Sequence, residues 1–169
     1  IDLWAERTAT QGGREDVAYV LIFENRGPEV GATIAHPHGQ LYAFESVPHN
    51  ALTELRHEAC PVCLELRDGH AVCGAGSWSA VVPHAASWPY ELLVAPDEHL
   101  PDLPSLDDAR RDDLAAVLAD SLGRLDLLFD APMPYMLWIH QRPTGVGAWP
   151  MAHLNIQVVP LLRRPDVHR

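Results

Sequence analysis

The sequence predicts an α+β fold, an antiparallel sheet with helices packed on it. Short apolar runs of β-forming residues alternate with turns rich in Gly and Pro, which is typical of antiparallel strands. One long stretch instead repeats its apolar residues at the period of a helix. Strands are predicted on both sides of this helix, and that order favours the α+β class.

The composition limits the partners and the compartment. The 169 residues suffice for a sizeable core, and 47% apolar with 21% charged residues is ordinary for a globular protein. A net charge of −11 without a Lys/Arg cluster argues against nucleic acid. No apolar run reaches membrane-span length and no signal peptide is visible, so no membrane partner is expected. Three cysteines, an odd number, indicate reduced thiols in the cytoplasm.

The first 50 residues predict a helix and two strands around a turn-rich loop. The helix covers residues 2–11 and stops at Gly12-Gly13. Strands follow at residues 17–23 and 36–44, with the loop at 25–35 between them. Alternate side chains of a strand share a face, so His36, His38 and Gln40 are expected to point the same way. The loop suggests a backbone cradle for phosphate, although two histidines at this spacing are also common surface residues.

The rest of the chain predicts one dominant helix among short strands. A short helix is expected at residues 50–58, and strands at 77–82, 91–95, 136–140 and 153–159, with a loop at 145–147. Ser105 is predicted to cap the long helix, because Ser105 and Asp108 have capping-box spacing. The apolar stripe of this helix is expected to face the core. It comprises Leu114, Val117, Leu118, Leu122, Leu125 and Leu128.

Cys60 and Cys63 form a C-x-x-C pair, which is either a metal half-site or a redox pair. No thioredoxin-like pattern surrounds it, so metal is favoured. A tetrahedral site needs two more ligands. His99 and His153 both lie at predicted strand ends, but the sequence alone leaves the choice open among eight histidines. These are His49, His57, His70, His84, His99, His140, His153 and His168.

Three stretches of the sequence together resemble one known family. The first comprises Phe23-Glu24-Asn25, Gly31, Thr33 and His36-Pro37-His38-Gly39-Gln40. The second comprises Val81-Val82-Pro83, Ala86, Trp88-Pro89-Tyr90-Glu91 and Pro96, and the third is Pro160-Leu161-Leu162-Arg163. They resemble the galactose-1-phosphate uridylyltransferase family of the histidine-triad (HIT-like) superfamily. The resemblance implies a HIT-like fold with two units, at residues 1–50 and 51–169.

The resemblance also implies roles for individual residues. His38 matches the nucleophile that takes the uridylyl group, and His36 matches a zinc ligand of a first metal site. The residues expected to bind substrate are Asn25, Gly31, Thr33 and Gln40. The residues expected to bind a second zinc are Cys60, Cys63, His99 and His153. Other members carry iron instead, and Glu54 and His140 match two of its ligands, but Asn155 and Gln157 stand where histidines would.

The implied reaction moves a uridylyl group from UDP-glucose to galactose 1-phosphate through a covalent uridylyl-histidine. Hydrolases of the superfamily carry a third histidine where Gln40 stands, and Gln cannot act as a general acid, so transfer is favoured over hydrolysis. Two alternatives stay open: a relative with another nucleotide sugar or a phosphate acceptor, and an inactive zinc-stabilised fragment. The resemblance implies a homodimer, because members of the family are typically dimers. The alternative is a complex with an N-terminal-half polypeptide, because the family's N-terminal part does not occur in this sequence.

Overall fold

The computed structural model describes residues 1–34, 36, 38–129, 131–145, 147–164 and 167–168, with backbone alone at 163–164 and 167–168. Its helices are α1 (Asp2–Gly12), α2 (His49–Leu55), α3 (Pro61–Asp68) and α4 (Asp108–Asp126), with 3-10 turns at Pro28–Val30 and Leu103–Ser105. Its strands are β1 (Tyr19–Arg26), β2 (Gly39–Phe44), β3 (His70–Ala75), β4 (Trp78–Val82), β5 (Leu92–Pro96), β6 (Tyr135–His140), β7 (Asn155–Pro160), β8 (Leu162–Arg164) and β9 (Val167–His168).

Seven of these strands form one antiparallel sheet in the order β2-β1-β6-β7-β5-β4-β3, and this confirms the predicted α+β class. β8 and β9 form a separate two-stranded pair. The register sets the two ends of the large sheet. Arg26 and Tyr135 are paired at one end, next to the loop of residues 27–38. Pro96 and Asn155 lie at the other end, and we call these the loop end and the cluster end.

The main core fills one face of the sheet, beneath α1 and α4. The α4 residues Leu114, Val117, Leu118 and Leu125 are buried there, which confirms most of the predicted stripe. Leu128 is the exception, because α4 ends at Asp126 and Leu128 lies 45% exposed beyond it. A second, smaller cluster lies under α3 and consists of Cys60, Val62, Val81, Leu93 and Ala95.

The predicted cap of α4 is wrong. Asp107 is the N-cap residue, and its Oδ1 accepts the Arg110 backbone N–H at 2.9 Å. Ser105 instead ends the preceding 3-10 turn, where its N–H donates to Asp102 Oδ1 at 3.0 Å. Because Asp102 accepts the Ser105 N–H in the 3-10 turn, the N-cap of α4 is Asp107, two residues later than predicted.

Several other elements differ from the prediction. α3 and the strands β3, β8 and β9 were not predicted, and β1 extends to Arg26 rather than ending at residue 23. β2 begins at Gly39, so the expectation that both histidines lie inside this strand is wrong. The sheet is continuous across residue 50, and the division into units 1–50 and 51–169 stays a prediction. None of the helices in the described ranges has the length and apolarity needed to cross a membrane.

Candidate functional site

One element, α3, brings both cysteines into position at the cluster end. Cys60 is the N-cap residue of α3, and Cys63 lies in the first turn of that helix. Pro61 follows Cys60 at the first helical position, where a missing N–H costs nothing. Because the first turn of a helix exposes unpaired N–H groups, both sulfur atoms lie beside a locally positive backbone.

Two segments that are distant in the sequence supply the histidines. His99 follows β5, and His153 lies two residues before the start of β7. The ligand atoms of Cys60, Cys63, His99 and His153 all lie within 4.8 Å of one another. The Cys63 Sγ atom is 3.3 Å from His153 Nδ1 and 3.5 Å from His99 Nδ1. The structure therefore brings together the four residues that were predicted to bind one metal, and we call them the Cys/His cluster.

The spacing within the Cys/His cluster fits a tetrahedral metal. Zn–S bonds of about 2.3 Å and Zn–N bonds of about 2.1 Å, at tetrahedral angles, separate S from N by about 3.6 Å. His153 Nε2 lies 2.9 Å from the Pro96 carbonyl oxygen, so Nε2–H donates and Nδ1 keeps its lone pair for the cluster. Two sulfur and two nitrogen donors form a set that suits zinc.

Burial favours the neutral form of two members of this cluster, Cys60 and His153. It raises the pKa of the Cys60 thiol to about 11. It also lowers the pKa of the His153 imidazole, although the hydrogen bond to Pro96 opposes this. A thiol of this kind stays protonated at neutral pH and must lose its proton to bind a metal.

The predicted nucleophile lies at the opposite, loop end of the sheet. His38 immediately precedes β2 and is half-buried, whereas His36 is exposed. The His38 Nδ1 atom is 3.2 Å from the His36 carbonyl oxygen. A carbonyl can only accept, so Nδ1 carries a proton, and in the neutral tautomer Nε2 is then the nitrogen with the unshared pair.

The predicted substrate residues lie on β1, in the loop of residues 27–38 and on β2. Asn25 lies on the same face of the sheet as Gln40. Gln40 pairs with Phe23, and Asn25 lies two residues after Phe23 on β1, so their side chains share a face. Gly31 closes the 3-10 turn with φ +79°, a left-handed conformation that favours glycine. Thr33 and Gln40 are exposed. Within the described ranges, His36 joins no group of three or more potential metal ligands, and Ala35 and Pro37 lie outside those ranges.

Sequence reasoning missed an ionic network beside this loop. Arg26 makes a two-pronged ion pair with Asp126, the last residue of α4, at 2.9–3.0 Å. Tyr135 Oη donates to Glu24 Oε1 at 2.7 Å. Glu24 and Arg26 are two residues apart on a strand, which places them on one face, but nothing in the sequence indicates Asp126 or Tyr135 as their partners.

The residues matching iron ligands form hydrogen bonds instead. Asn155 Nδ2 donates to Glu54 Oε1 at 3.0 Å, so it presents a donor and not a ligand atom. Gln157 Nε2 donates to Glu91 Oε1 at 2.8 Å. The cavity beside Glu54 and His140 has about 10 Å³, the space of one water. These residues do not fit an iron site.

Comparisons with known proteins match both parts of the chain to one family. Residues 40–169 match a profile described as "Galactose-1-phosphate uridyl transferase, C-terminal domain", and residues 1–48 match the N-terminal domain of the same family. A galactose-1-phosphate uridylyltransferase of Streptomyces lividans is 35% identical over 100% of this chain and 54% of its own length. The chain thus spans about half the length of the curated relatives it matches.

Two solved structures share the fold at similar coverage. One, titled "Structure of uridylyltransferase", is 31% identical with a TM-score of 0.88, over 98% of this chain and 55% of that one. The other is an ADP-glucose phosphorylase from Arabidopsis thaliana with bound ADP-glucose. It is 25% identical with a TM-score of 0.87, over 95% of this chain and 54% of that one.

Proposed function

Because this chain belongs to the galactose-1-phosphate uridylyltransferase family, we propose that it carries the nucleophile of an enzyme that moves a uridylyl group from UDP-glucose to galactose 1-phosphate. His38 is the nucleophile of this proposal. Asn25, Gly31, Thr33 and Gln40 hold the phosphates, and further parts of the active site come from a second polypeptide segment or subunit.

The reaction runs in two displacements at the α-phosphorus. His38 Nε2 forms an N–P bond while the P–O bond to glucose 1-phosphate breaks, and glucose 1-phosphate leaves with the bonding pair. A phosphate oxygen of galactose 1-phosphate then attacks the same phosphorus. The N–P bond breaks, UDP-galactose forms, and the imidazole is restored. The Gln40 amide donates to the phosphoryl oxygens in both steps and has no proton to give the leaving group.

One observation carries the proposal, the contact between His38 Nδ1 and the His36 carbonyl at 3.2 Å. It holds the proton on the nitrogen that does not react and leaves Nε2 as a neutral nucleophile. The same contact stabilises the imidazole ring in one orientation, which lowers the entropy cost of attack.

We propose zinc as the metal of the Cys/His cluster. The two sulfur and two nitrogen donors and their spacing support zinc over harder cations. When bound, zinc supplies cross-linking here and no chemistry at the nucleophile, since the cluster lies at the other end of the sheet. The three free cysteines, Cys60, Cys63 and Cys73, support a reducing, cytoplasmic location.

The position of β2 at the edge of the sheet, in the described part of the chain, supports the proposed complex with an N-terminal-half polypeptide. The order helix–strand–strand occurs twice, as α1-β1-β2 and α4-β6-β7, and β1 pairs with β6 between them. β7 is paired on its outer side with β5, whereas β2 ends the sheet in the part of the chain the structure describes. β2 contains no charged residue or proline to discourage pairing, and Tyr42 on it is 53% exposed.

A second candidate function is phosphorolysis of a nucleotide sugar with inorganic phosphate as the acceptor. The likeness to the ADP-glucose phosphorylase favours it, since that protein has nearly the same TM-score as the uridylyltransferase. The first half-reaction at His38 would be the same, and only the nucleotide and the acceptor would differ.

Product analysis tests both candidates. The chain, combined with the segment of a relative that precedes the residue matching Ile1, is incubated with UDP-glucose or ADP-glucose and with galactose 1-phosphate or phosphate. This segment excludes the relative's own counterpart of His38, because residues 1–48 of this chain already match the later part of the N-terminal domain. UDP-galactose formation that disappears in His38→Ala supports the first function. Turnover of ADP-glucose with phosphate supports the second, and no product from any pair would contradict both.

A further inference from the structure

We propose that Glu24, Arg26, Asp126 and Tyr135 form a positioning network that fixes both ends of the nucleophile loop, residues 27–38. The inference rests on the proposed function, because the loop matters only if His38 reacts. None of the four residues is proposed to touch the substrate. Their effect on the reaction passes through the backbone that carries His38.

The network lies beside the C-terminal end of the nucleophile loop, where β2 begins. Glu24 pairs across the sheet with Gly39, the residue that follows His38. The Glu24 carboxylate is held by Tyr135 Oη at 2.7 Å, and the Tyr135 residue is only 3% exposed. The carboxylate and burial both raise the pKa of this phenol, so it stays a hydrogen-bond donor at all ordinary pH values.

The network meets the entrance of the loop at Arg26. Arg26 directly precedes Gly27, whose φ of +100° turns the chain away from β1. A Cβ at Gly27 would lie 2.8 Å from Pro134 Cβ, so the loop starts in close contact with the residue before Tyr135. The Arg26 guanidinium lies 5.7 Å from the centre of the Tyr135 ring, within cation–π range.

Asp126 connects this arrangement to the helix layer. It is the last residue of α4, where the helix dipole disfavours a negative charge. Its Oδ1 accepts from Arg26 and also from the Met133 backbone N–H at 2.8 Å. A carboxylate at this unfavourable place is balanced by these donors, and it links α4, β1 and the segment leading to β6.

The chain offers matched controls at the other end of the sheet. Tyr19 on β1 is as buried as Tyr135, at 1%, and its Oη accepts from the Gln141 N–H at 3.5 Å. Asp102 is paired with Arg142 at 2.7 Å, as Asp126 is paired with Arg26. Tyr19→Phe and Asp102→Asn therefore remove equivalent groups without touching the loop end.

The experiment compares Tyr135→Phe with Tyr19→Phe, and Asp126→Asn with Asp102→Asn. Nitrogen-15 spectra of the 169-residue chain at one alkaline pH report which His38 ring nitrogen carries the proton. The Nδ1–H form is expected to dominate in the unmodified chain. Its fraction is expected to fall in the two network variants and to stay unchanged in the two controls.

A kinetic arm uses the chain combined with the segment of a relative that precedes the residue matching Ile1, and UDP-glucose as donor. The first-order rate of His38 labelling is expected to fall by about 10- to 100-fold in Tyr135→Phe, because small misplacements of reacting atoms cost rates of this order. The UDP-glucose concentration for half-saturation is expected to change less than about threefold, since binding contacts are kept.

The outcomes separate the two proposals. If network and control variants shift the His38 tautomer equally, or none does, the positioning network is overturned. If the tautomer shifts only in the network variants but the unmodified chain takes no label, the proposed function fails and the network stands. A variant that does not fold is replaced by the other network variant and its own control.

Discussion

The two halves of the chain repeat one order of elements but differ in how complete their sites are. His36, His38 and Gln40 lie at or before the start of β2, and the sequence around β7 has the same spacing, with His153, Asn155 and Gln157. In the second half, this chain supplies all four donors of the Cys/His cluster. In the first half, His36 is exposed and joins no such group in the described ranges.

The residues at matching positions of the two halves also differ in burial and in chemistry. Asn155 is 3% exposed and donates to Glu54, whereas His38 and Gln40 lie at an open edge of the sheet. An amide nitrogen has no available electron pair to attack phosphorus, but a neutral imidazole has one. The same sequence pattern therefore serves structure in the second half and, as proposed, group transfer in the first.

The largest expected effect comes from the Cys/His cluster. Cys60→Ser removes one ligand, and we expect metal content to be lost and stability to fall by several kcal/mol, because the free energy of metal binding contributes directly to folding. Cys73→Ser is the control, since Cys73 lies outside the cluster and contacts Ser121. Metal analysis and thermal unfolding measure both. Equal, small losses in the two variants would show that the cluster holds no structural metal.

Gln40 and Gln157 stand at matching positions of the two halves, and we expect their substitutions to have different effects. Gln40→Ala should lower the labelling rate by about 100-fold with little change in stability, because it removes one donor to the phosphoryl oxygens. Gln157→Ala should instead cost about 1–3 kcal/mol, because it leaves the buried Glu91 carboxylate short of a donor. Rates and unfolding curves of both variants check the pair. A rate loss in Gln157→Ala alone would reverse the assignment.

Metal affinity should rise with pH. The pKa of the Cys60 thiol lies at about 11 before metal binds, so the thiol is protonated throughout the neutral range. The lowered pKa of His153 leaves that ligand already neutral. Each thiol proton displaced then makes affinity increase about tenfold per pH unit. Competition with a chelator at several pH values measures the slope, and a flat profile would exclude thiol coordination.

The smallest effect concerns Glu54. Burial raises its pKa, so the fold favours its protonated form. The protonated Glu54 side chain therefore stabilises the fold at pH values below its pKa in the unfolded chain. This stabilisation is lost as the pH rises through the pKa of Glu54 in the folded chain. Glu54→Gln keeps an acceptor for Asn155 and should be about 1 kcal/mol more stable than the unmodified chain at pH 8. The difference in the free energy of unfolding between the two proteins should disappear towards pH 4. A loss of metal content in Glu54→Gln would instead identify Glu54 as a ligand.

Local patterns in the sequence predicted much of the fold. The apolar runs of β4 to β7 and the stripe of α4 depend on short-range periodicity, which the sequence shows directly. α3 was missed because only eight residues carry it, and β3 because it consists largely of small residues. The start of β2 was misjudged at Pro37, which has no N–H to donate to a strand ladder.

The candidate sites were less predictable because they join distant residues. Cys60 and His153 are separated by 93 positions, and no local rule selects His153 among eight histidines. The resemblance to a family selected it. The register of β5 and β7 places His153 beside Pro96, and Cys60 packs near the same end of β5 with Ala95. Arg26 and Asp126 are separated by 100 positions, and the resemblance to the family did not indicate that they form a pair.

Intact mass after incubation with UDP-glucose tests the central claim most directly. The segment of a relative that precedes the residue matching Ile1 is supplied, and the sample stays alkaline because phosphoramidates are acid-labile. The account predicts a mass increase of one uridylyl group on this chain that maps to His38, is absent in His38→Ala and never maps to the second half. No increase, or one that persists in His38→Ala, would contradict the assignment of His38 as the nucleophile.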